Sequence, residues 1–354
     1  MDRPLHPPAR RLTQPIRACA GRGGATTVAG SGSAEGSVVM LEHRTSTLLQ
    51  DFELTPPAVR LFVGGNAGSF TARNGGREYD NLSGARMFTA AHKPYAFVGD
   101  TASMDGIIDS GAFTDPPHKR LSPATALDRQ MRWEHTARTL WGSDWQAFGI
   151  VSYDRLIDEK WIAGEKRKQR WSVCDGDSAV SETIEAARYI ASQRKEIAPR
   201  KLILSCQGVD AIQYQECVFE VLKVAQPSDW IGLGGWCIIG QQRAWMPTFW
   251  QTMYIVLPMI AAQRIMHVHI FGVLYEPALA GLLWLTDSHG LRLSTDSTGP
   301  IMATTWKDGS HSNFRLPYWK DNAQWWVDKL ANLRLSAYYK QPPQLAPARQ
   351  ESFL

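Results

Sequence analysis

The sequence predicts an α/β protein built as a TIM-type (β/α)8 barrel, and three observations carry that prediction. The first is a recurring pattern in which a short apolar run ends on a polar or small residue. It is seen in Gly106-Ile-Ile-Asp109, Phe148-Gly-Ile-Val-Ser-Tyr-Asp154, Leu202-Ile-Leu-Ser-Cys-Gln207, Trp230-Ile-Gly-Leu-Gly234-Gly235, His267-Val-His-Ile-Phe-Gly272 and Leu291-Arg-Leu-Ser-Thr-Asp296. The second is that segments of helical period fall between these runs, and such alternation argues for parallel strands joined by crossover helices. The third is length: 354 residues accommodate a barrel of about 250 residues with extensions at both ends. In a parallel barrel the C-terminal strand ends meet on one face, and that face carries the active site.

The elements follow in order. Residues 1–45, rich in Pro, Gly, Ala, Ser and Arg, show neither helical nor strand period and read as a disordered leader, with Met40 as an alternative start of translation. The barrel domain is expected over 46–340. Its strands are expected at Arg60–Gly64, Gly106–Asp109, Phe148–Tyr153, Lys201–Ser205, Trp230–Leu233, Val268–Gly272 and Leu291–Thr295. An eighth is expected at Ile301–Trp306 or earlier, around Tyr95–Val98. Helices are expected at Ala126–Leu140, where Leu127, Met131 and Trp133 stand near helical spacing, and at Val180–Arg194, with Ile184, Ala187 and Ile190 on one face. Ala211–Val224 and Pro247–Arg264 complete the set. The tail, 341–354, carries Pro342, Pro343 and Pro347 and reads as unfolded.

Composition narrows the function classes. A hydrophobic fraction of 44% suffices for a full core. The longest apolar stretch, Met253–Ala262, contains Pro258 and is too short to span a bilayer, so no membrane partner is expected. The five cysteines, Cys19, Cys174, Cys206, Cys217 and Cys237, show no Cys-x-x-Cys spacing; they suit a reducing cytoplasm and supply no zinc site. A net charge of +4 permits a nucleic-acid partner without requiring one. The densest basic run, Lys166-Arg167-Lys168-Gln-Arg170, reads either as a solvated loop or as a phosphate-contact loop near the barrel mouth. The 14 tryptophans, all beyond residue 130, read chiefly as core, with base stacking as the functional alternative.

The strand-end residues Asp109, Asp154, Gln207, Gly234, Gly235, Gly272 and Asp296 define the candidate site. Two carboxylates can serve as nucleophile and general acid/base. A third carboxylate with an amide can read a polar ring, and glycine N–H groups can approach a carbonyl oxygen. This set suits glycosyl transfer to or from a nucleobase, because a carboxylate can trap an oxocarbenium-like centre while an acid protonates the departing base. Ordinary readings exist for each: Asp109 as a turn residue, Asp154 as a helix N-cap, Gly234-Gly235 as a tight turn. His267 and His269 alternate on one strand and read as core or supporting residues, since no acidic or cysteine partner stands at metal-ligand spacing.

Taken together, these residues resemble the tRNA-guanine transglycosylase superfamily over about 190 residues. Asp109-Ser-Gly-Ala-Phe113 is similar to that family's Asp-Ser-Gly-Gly-Phe motif, whose aspartate is the general acid/base. Asp154 resembles in place the aspartate that binds the guanine edge, and Gln207-Gly208 the Gln-Gly pair whose glutamine contacts the base. Gly234-Gly235 looks like the turn that meets the base carbonyl, Phe271-Gly272-Val273 like the strand end Met-Gly-Val, and Asp296 takes the place of the nucleophilic aspartate. There are two departures. The family's tRNA enzymes carry a Cys-x-Cys-x-x-Cys zinc site after the nucleophile, whereas the last cysteine here is Cys237; and Ser297-Thr-Gly-Pro300 stands where they have Pro-Thr-Arg. The resemblance is therefore strongest to the DNA-guanine transglycosylases, which insert 7-deazaguanines into DNA. It implies a transglycosylase-like barrel lacking the zinc subdomain, with no metal and no cofactor. Its partners would be DNA, through a flipped-out or single-stranded guanine, and a 7-deazaguanine base such as 7-cyano-7-deazaguanine. The role would be protection of DNA from restriction, in a phage or a bacterial modification system. The residues leave open an RNA-directed enzyme of the same chemistry and a non-catalytic barrel that binds nucleic acid or a partner.

Overall fold

In the computed structural model, residues 57–64, 85–94, 105–115, 120–155, 157, 173–237, 239–240, 243–302 and 319–340 are described. They form a closed barrel of eight strands in sequence order. The strands are β1 Val59–Gly64, β2 Ala85–Thr89, β3 Gly106–Asp109, β4 Gly149–Val151, β5 Lys201–Cys206, β6 Trp230–Leu233, β7 His267–Ile270 and β8 Arg292–Ser297. Every neighbouring pair is parallel, and β8 returns to pair with β1, with Phe62 opposite Asp296. The helices are α1 Pro123–Trp141, α2 Val173–Ser192, α3 Arg194–Ile197, α4 Ala211–Leu222, α5 Met246–Ala262, α6 Glu276–Ser288, α7 Gly299–Met302 and α8 Trp319–Ala331. The TIM-type barrel expected from the sequence is thus the observed fold.

The period-two alternation of the strands divides their side chains between two cores. Phe62, Ala85, Met87, Ile107, Val151, Ile203 and Trp230 pack together inside the barrel, with Phe148 and Phe271 against them. The strand residues of opposite parity, Leu61, Val63, Ile150, Leu202, Leu204, Ile231, Val268, Ile270 and Leu293, face outward and pack with helix residues such as Ile184, Val218, Phe249, Val256 and Leu282. Arg60 lies toward the N-terminal end of the interior, its guanidinium 5.0 Å from the centre of the Phe62 ring and 5.2 Å from that of Phe148. It pairs there with Asp105.

The helices start where local chemistry favours it. Ser122 caps α1 by accepting the Thr125 N–H, with Pro123 in the first turn, and Asp210 caps α4 by accepting the N–H groups of Ile212 and Gln213. Inside α1, Gln130 donates from its amide to the carbonyls of Ile108 and Val151, each at 2.9 Å, and so ties the upper ends of β3 and β4 together.

Several expectations change. The eighth strand is Ala85–Thr89 and follows the first; Ile301–Met302 belongs to α7 instead, while Ala303–Trp306 and Tyr95–Val98 lie outside the described residues. Arg86, buried at 3% exposure on the outer side of β2, breaks the apolar run that would have marked this strand in the sequence. The strand expected at Phe148–Tyr153 is paired only over Gly149–Val151, so Asp154 stands on the loop beyond it. The helix expected at Val180–Arg194 begins at Val173 and stops at Ser192. The expected leader and tail, and the basic run Lys166–Arg170, lie outside the described residues.

One ion pair fastens the helix layer. Arg200 donates to Glu134 at 2.7 and 3.0 Å, and the Ala147 N–H donates to the same carboxylate at 3.0 Å. The two side chains are only 8% and 2% exposed. Removing one partner of such a buried pair strands the other, so Glu134→Ala is expected to destabilise the protein by about 3–5 kcal/mol. Arg132→Ala, which removes an exposed pair with Asp128, is expected to change stability by less than about 1 kcal/mol. Urea denaturation of both variants checks the contrast.

Candidate active site

Strand parity places most of the candidate residues. Asp109 continues the inward register of Ile107, Gln207 that of Ile203 and Ser205, Gly234 that of Trp230 and Gly232, and Asp296 that of Ser294. All therefore stand over the barrel interior at its C-terminal mouth. Asp154 arrives from the loop after β4 and is 7% exposed. The structure thus brings Asp154 and Asp296 within electrostatic reach of Asp109.

Asp109 is the most perturbed of the three. Its pKa is raised to about 7, first by burial and next by the negative charge of Asp154, with Asp296 adding to it; the N–H groups of Gly111 and Ser110 pull the other way. The Gly111 N–H donates to Asp109 Oδ2 at 3.0 Å. The turn role foreseen for Asp109 is therefore real and coexists with a position at the mouth. Gly111 has φ 83°, and a Cβ there would come within 2.9 Å of the Ala91 nitrogen, so the turn needs glycine.

Asp154 and Gln207 form a pair. Gln207 donates from Nε2 to Asp154 Oδ2, while its Oε1 accepts the Ile157 N–H at 3.1 Å. With its oxygen engaged in this way, the glutamine turns its NH2 group toward Asp154. Arg120 donates to the Asp154 carbonyl, and Arg129 holds Asp115 through two bonds of 2.8 and 2.9 Å while donating to the Ser110 carbonyl. Tyr153 donates its hydroxyl to Asp115 at 3.0 Å. This network joins the turn after Asp109 to the loop carrying Asp154. The residues that a helix capped by Asp154 would occupy, 156 and 158–172, lie outside the described residues.

Gly234 lies against Gln207: a Cβ on it would meet the glutamine side chain at 3.0 Å. Its N–H is already given to the Cys206 carbonyl at 2.9 Å, and its carbonyl accepts the Tyr214 hydroxyl at 3.1 Å. Gly235, at φ 78°, turns the chain beyond it. Of the two glycines, Gly235 is the one whose N–H the strand pairing does not consume.

Asp296 is held from one side. Its Oδ1 accepts the Gly272 N–H at 2.9 Å and faces His269 Nε2 at 3.2 Å. Gly272 has φ 70°, and a Cβ there would press on Cys237 at 2.6 Å. His269 is fully buried inside the barrel, and its contact with Asp296 is the functional feature that sequence reasoning left undefined. The signal was present in His267-x-His269, which shares the inward parity of its strand, but the partner depends on the β7–β8 register, with His269 opposite Ser294. Among the described residues no group of three or more His, Cys, Asp or Glu side chains is placed to hold a metal ion, and no helix is long and apolar enough to cross a membrane.

The chemistry available is proton transfer near neutrality by Asp109 beside a second carboxylate fixed by two hydrogen bonds. The linkage has a definite sign. Asp109 keeps its proton in the folded protein to about pH 7, whereas an unfolded aspartate loses it near pH 4, so the folded state binds the extra proton between these values and stability falls as pH rises through this window. Asp109→Asn removes that loss. Relative to the parent protein it is expected to gain stability between about pH 4 and 8, on the order of 2 kcal/mol after allowance for partial exposure at the mouth. Denaturant titrations of both proteins at several pH values measure the difference. The sequence matches no protein-family model and no curated protein, so the reading of this site rests on its residues and their geometry.

Proposed function

We propose that the barrel is a base-exchange transglycosylase that replaces guanine in DNA with a 7-deazaguanine such as 7-cyano-7-deazaguanine. The observation that supports this reading most is the unequal treatment of two carboxylates at one mouth. Asp109 holds a proton to about pH 7, and Asp296 accepts two donors on a single oxygen. Paired carboxylates in opposed environments are the mark of an acid and a nucleophile working together. In this reading Asp296 attacks C1′ of a deoxyguanosine and holds the sugar as an ester. Asp109 protonates the departing guanine and later accepts a proton from the incoming base. Asp154 receives the ring N1–H and exocyclic amine, while the Gln207 amide and the Gly235 N–H meet the base carbonyl. One N-glycosidic bond replaces another, so the exchange needs no external energy source. The target nucleotide must leave a duplex stack or be single-stranded to reach the mouth. Protection of DNA from restriction would be the biological consequence.

The test is exchange of labelled guanine, and incorporation of 7-cyano-7-deazaguanine, into single- and double-stranded DNA, with tRNA as the parallel substrate. Incorporation into DNA alone is expected. Incorporation into tRNA alone would move the protein to the RNA-directed enzyme, and binding without exchange to the non-catalytic barrel. Asp296→Ala is expected to lower exchange by at least about 10^4-fold and to abolish the covalent enzyme–DNA adduct. Asp109→Asn is expected to retain DNA binding and to lose about 10^2- to 10^4-fold in turnover. Denaturing gel analysis of the adduct and steady-state rates read the two effects separately.

A further inference from the structure

A line of hydrogen bonds runs from Asp296 down into the barrel. His269 Nε2 faces Asp296 Oδ1 at 3.2 Å, His269 Nδ1 faces Ser294 Oγ at 2.9 Å, and the same Oγ faces His267 Nε2 at 3.0 Å. Both rings are enclosed by aromatic groups. His267 stacks on Trp230 with centroids 3.5 Å apart, and His269 meets Phe62 and Phe271 edge-on at 5.8 and 4.8 Å. A carboxylate can only accept, so Nε2 of His269 must be the donor to Asp296. In the neutral ring Nδ1 is then an acceptor and takes the Ser294 hydroxyl proton. The serine oxygen in turn accepts from His267 Nε2–H. Every donor therefore finds an acceptor, and the chain has a single direction, from His267 to Asp296. Burial first, with the positive charges of Arg60 and Arg292 adding to it, holds the His267 pKa well below the usual histidine value, in keeping with a neutral start to the chain.

Among the described residues both donors to Asp296, Gly272 N–H and His269 Nε2–H, fall on Oδ1. We infer that His269, polarised through Ser294 and His267, is a positioning residue that locks the Asp296 carboxylate and presents Oδ2 as the attacking atom. The inference rests on the transglycosylase reading for its chemistry. In the first half-reaction Oδ2 forms the bond to C1′ as the bond from C1′ to the guanine nitrogen breaks, its electron pair leaving with the base. Oδ1 then becomes the ester carbonyl and keeps both donors. In the second half-reaction the incoming nitrogen bonds to C1′, and the C1′–Oδ2 pair returns to the carboxylate, whose charge the same donors stabilise.

The test combines the tautomer with kinetics in the full-length protein. Selective 15N-histidine labelling is expected to show His269 with a proton on Nε2 and a bare Nδ1. His269→Leu is expected to lower adduct formation and kcat by about 10^2-fold, the loss typical of one preorganised donor, with KM for DNA changed less than about threefold. His269→Gln, which restores an N–H near the Nε2 position, is expected to recover activity to within about tenfold of the parent. Where His269→Leu fails to fold, Ser294→Ala serves in its place, with kcat lowered about two- to tenfold as one neutral hydrogen bond is lost. A proton on Nδ1 in place of Nε2, a folded His269→Leu with parental kcat, a glutamine variant no better than leucine, or an unchanged Ser294→Ala overturns the positioning role. Absence of exchange by the parent protein, with His269 in the expected tautomer, counts against the transglycosylase reading alone.

Discussion

The pairing of β1 with β8 turns eight separate strand ends into one site. Five residue pairs align along that seam, from Val59 opposite Leu293 to Val63 opposite Ser297. An open sheet of the same strands would carry Asp109 on its third strand and Asp296 on its eighth, too far apart to act together. Closure also fixes parity. Once Phe62 points inward, its partner Asp296 does so too, and a slip of one residue would turn the carboxylate toward the helix layer.

The charge arrangement follows from that closure. Three carboxylates share one mouth, and mutual repulsion would oppose ionisation of all three at once. The structure resolves the conflict by unequal support. Asp154 receives the Gln207 amide, Asp296 receives Gly272 and His269, and Asp109, with its turn N–H donors outweighed by burial, keeps its proton. The Arg129–Asp115–Tyr153 network keeps the loops carrying Asp109 and Asp154 in register. Among the described residues, Arg120 and Arg129 donate in that network to main-chain carbonyls and to Asp115.

Much of the barrel was legible because an apolar run closing on a polar or small residue is what an inward-turning strand end looks like. Seven of the eight strands follow that rule. Ala85–Thr89 does not, since its buried Arg86 interrupts the run and no carboxylate or glycine pair marks its end. The positions of Asp109, Gln207, Gly234 and Asp296 could be read from the same pattern, whereas the environment of each could not. The proton on Asp109 depends on Asp154, 45 residues away in sequence, and on burial that composition does not reveal. The link between His269 and Asp296 depends on a register between strands, which alternation within one strand leaves open. Gly234 and Gly235 look alike in sequence, and only the bond from the Gly234 N–H to the Cys206 carbonyl separates their possible uses.

The filled interior beneath the mouth has a consequence for access. Phe62, Phe148, Trp230 and the two histidines occupy the axis, and Arg60 lies below them against the Phe62 and Phe148 rings. The axis is a stopper rather than a tunnel. A small molecule that reaches the carboxylates cannot continue down this filled axis, so in an exchange conducted there the second ring would enter from the same C-terminal side by which the first departs.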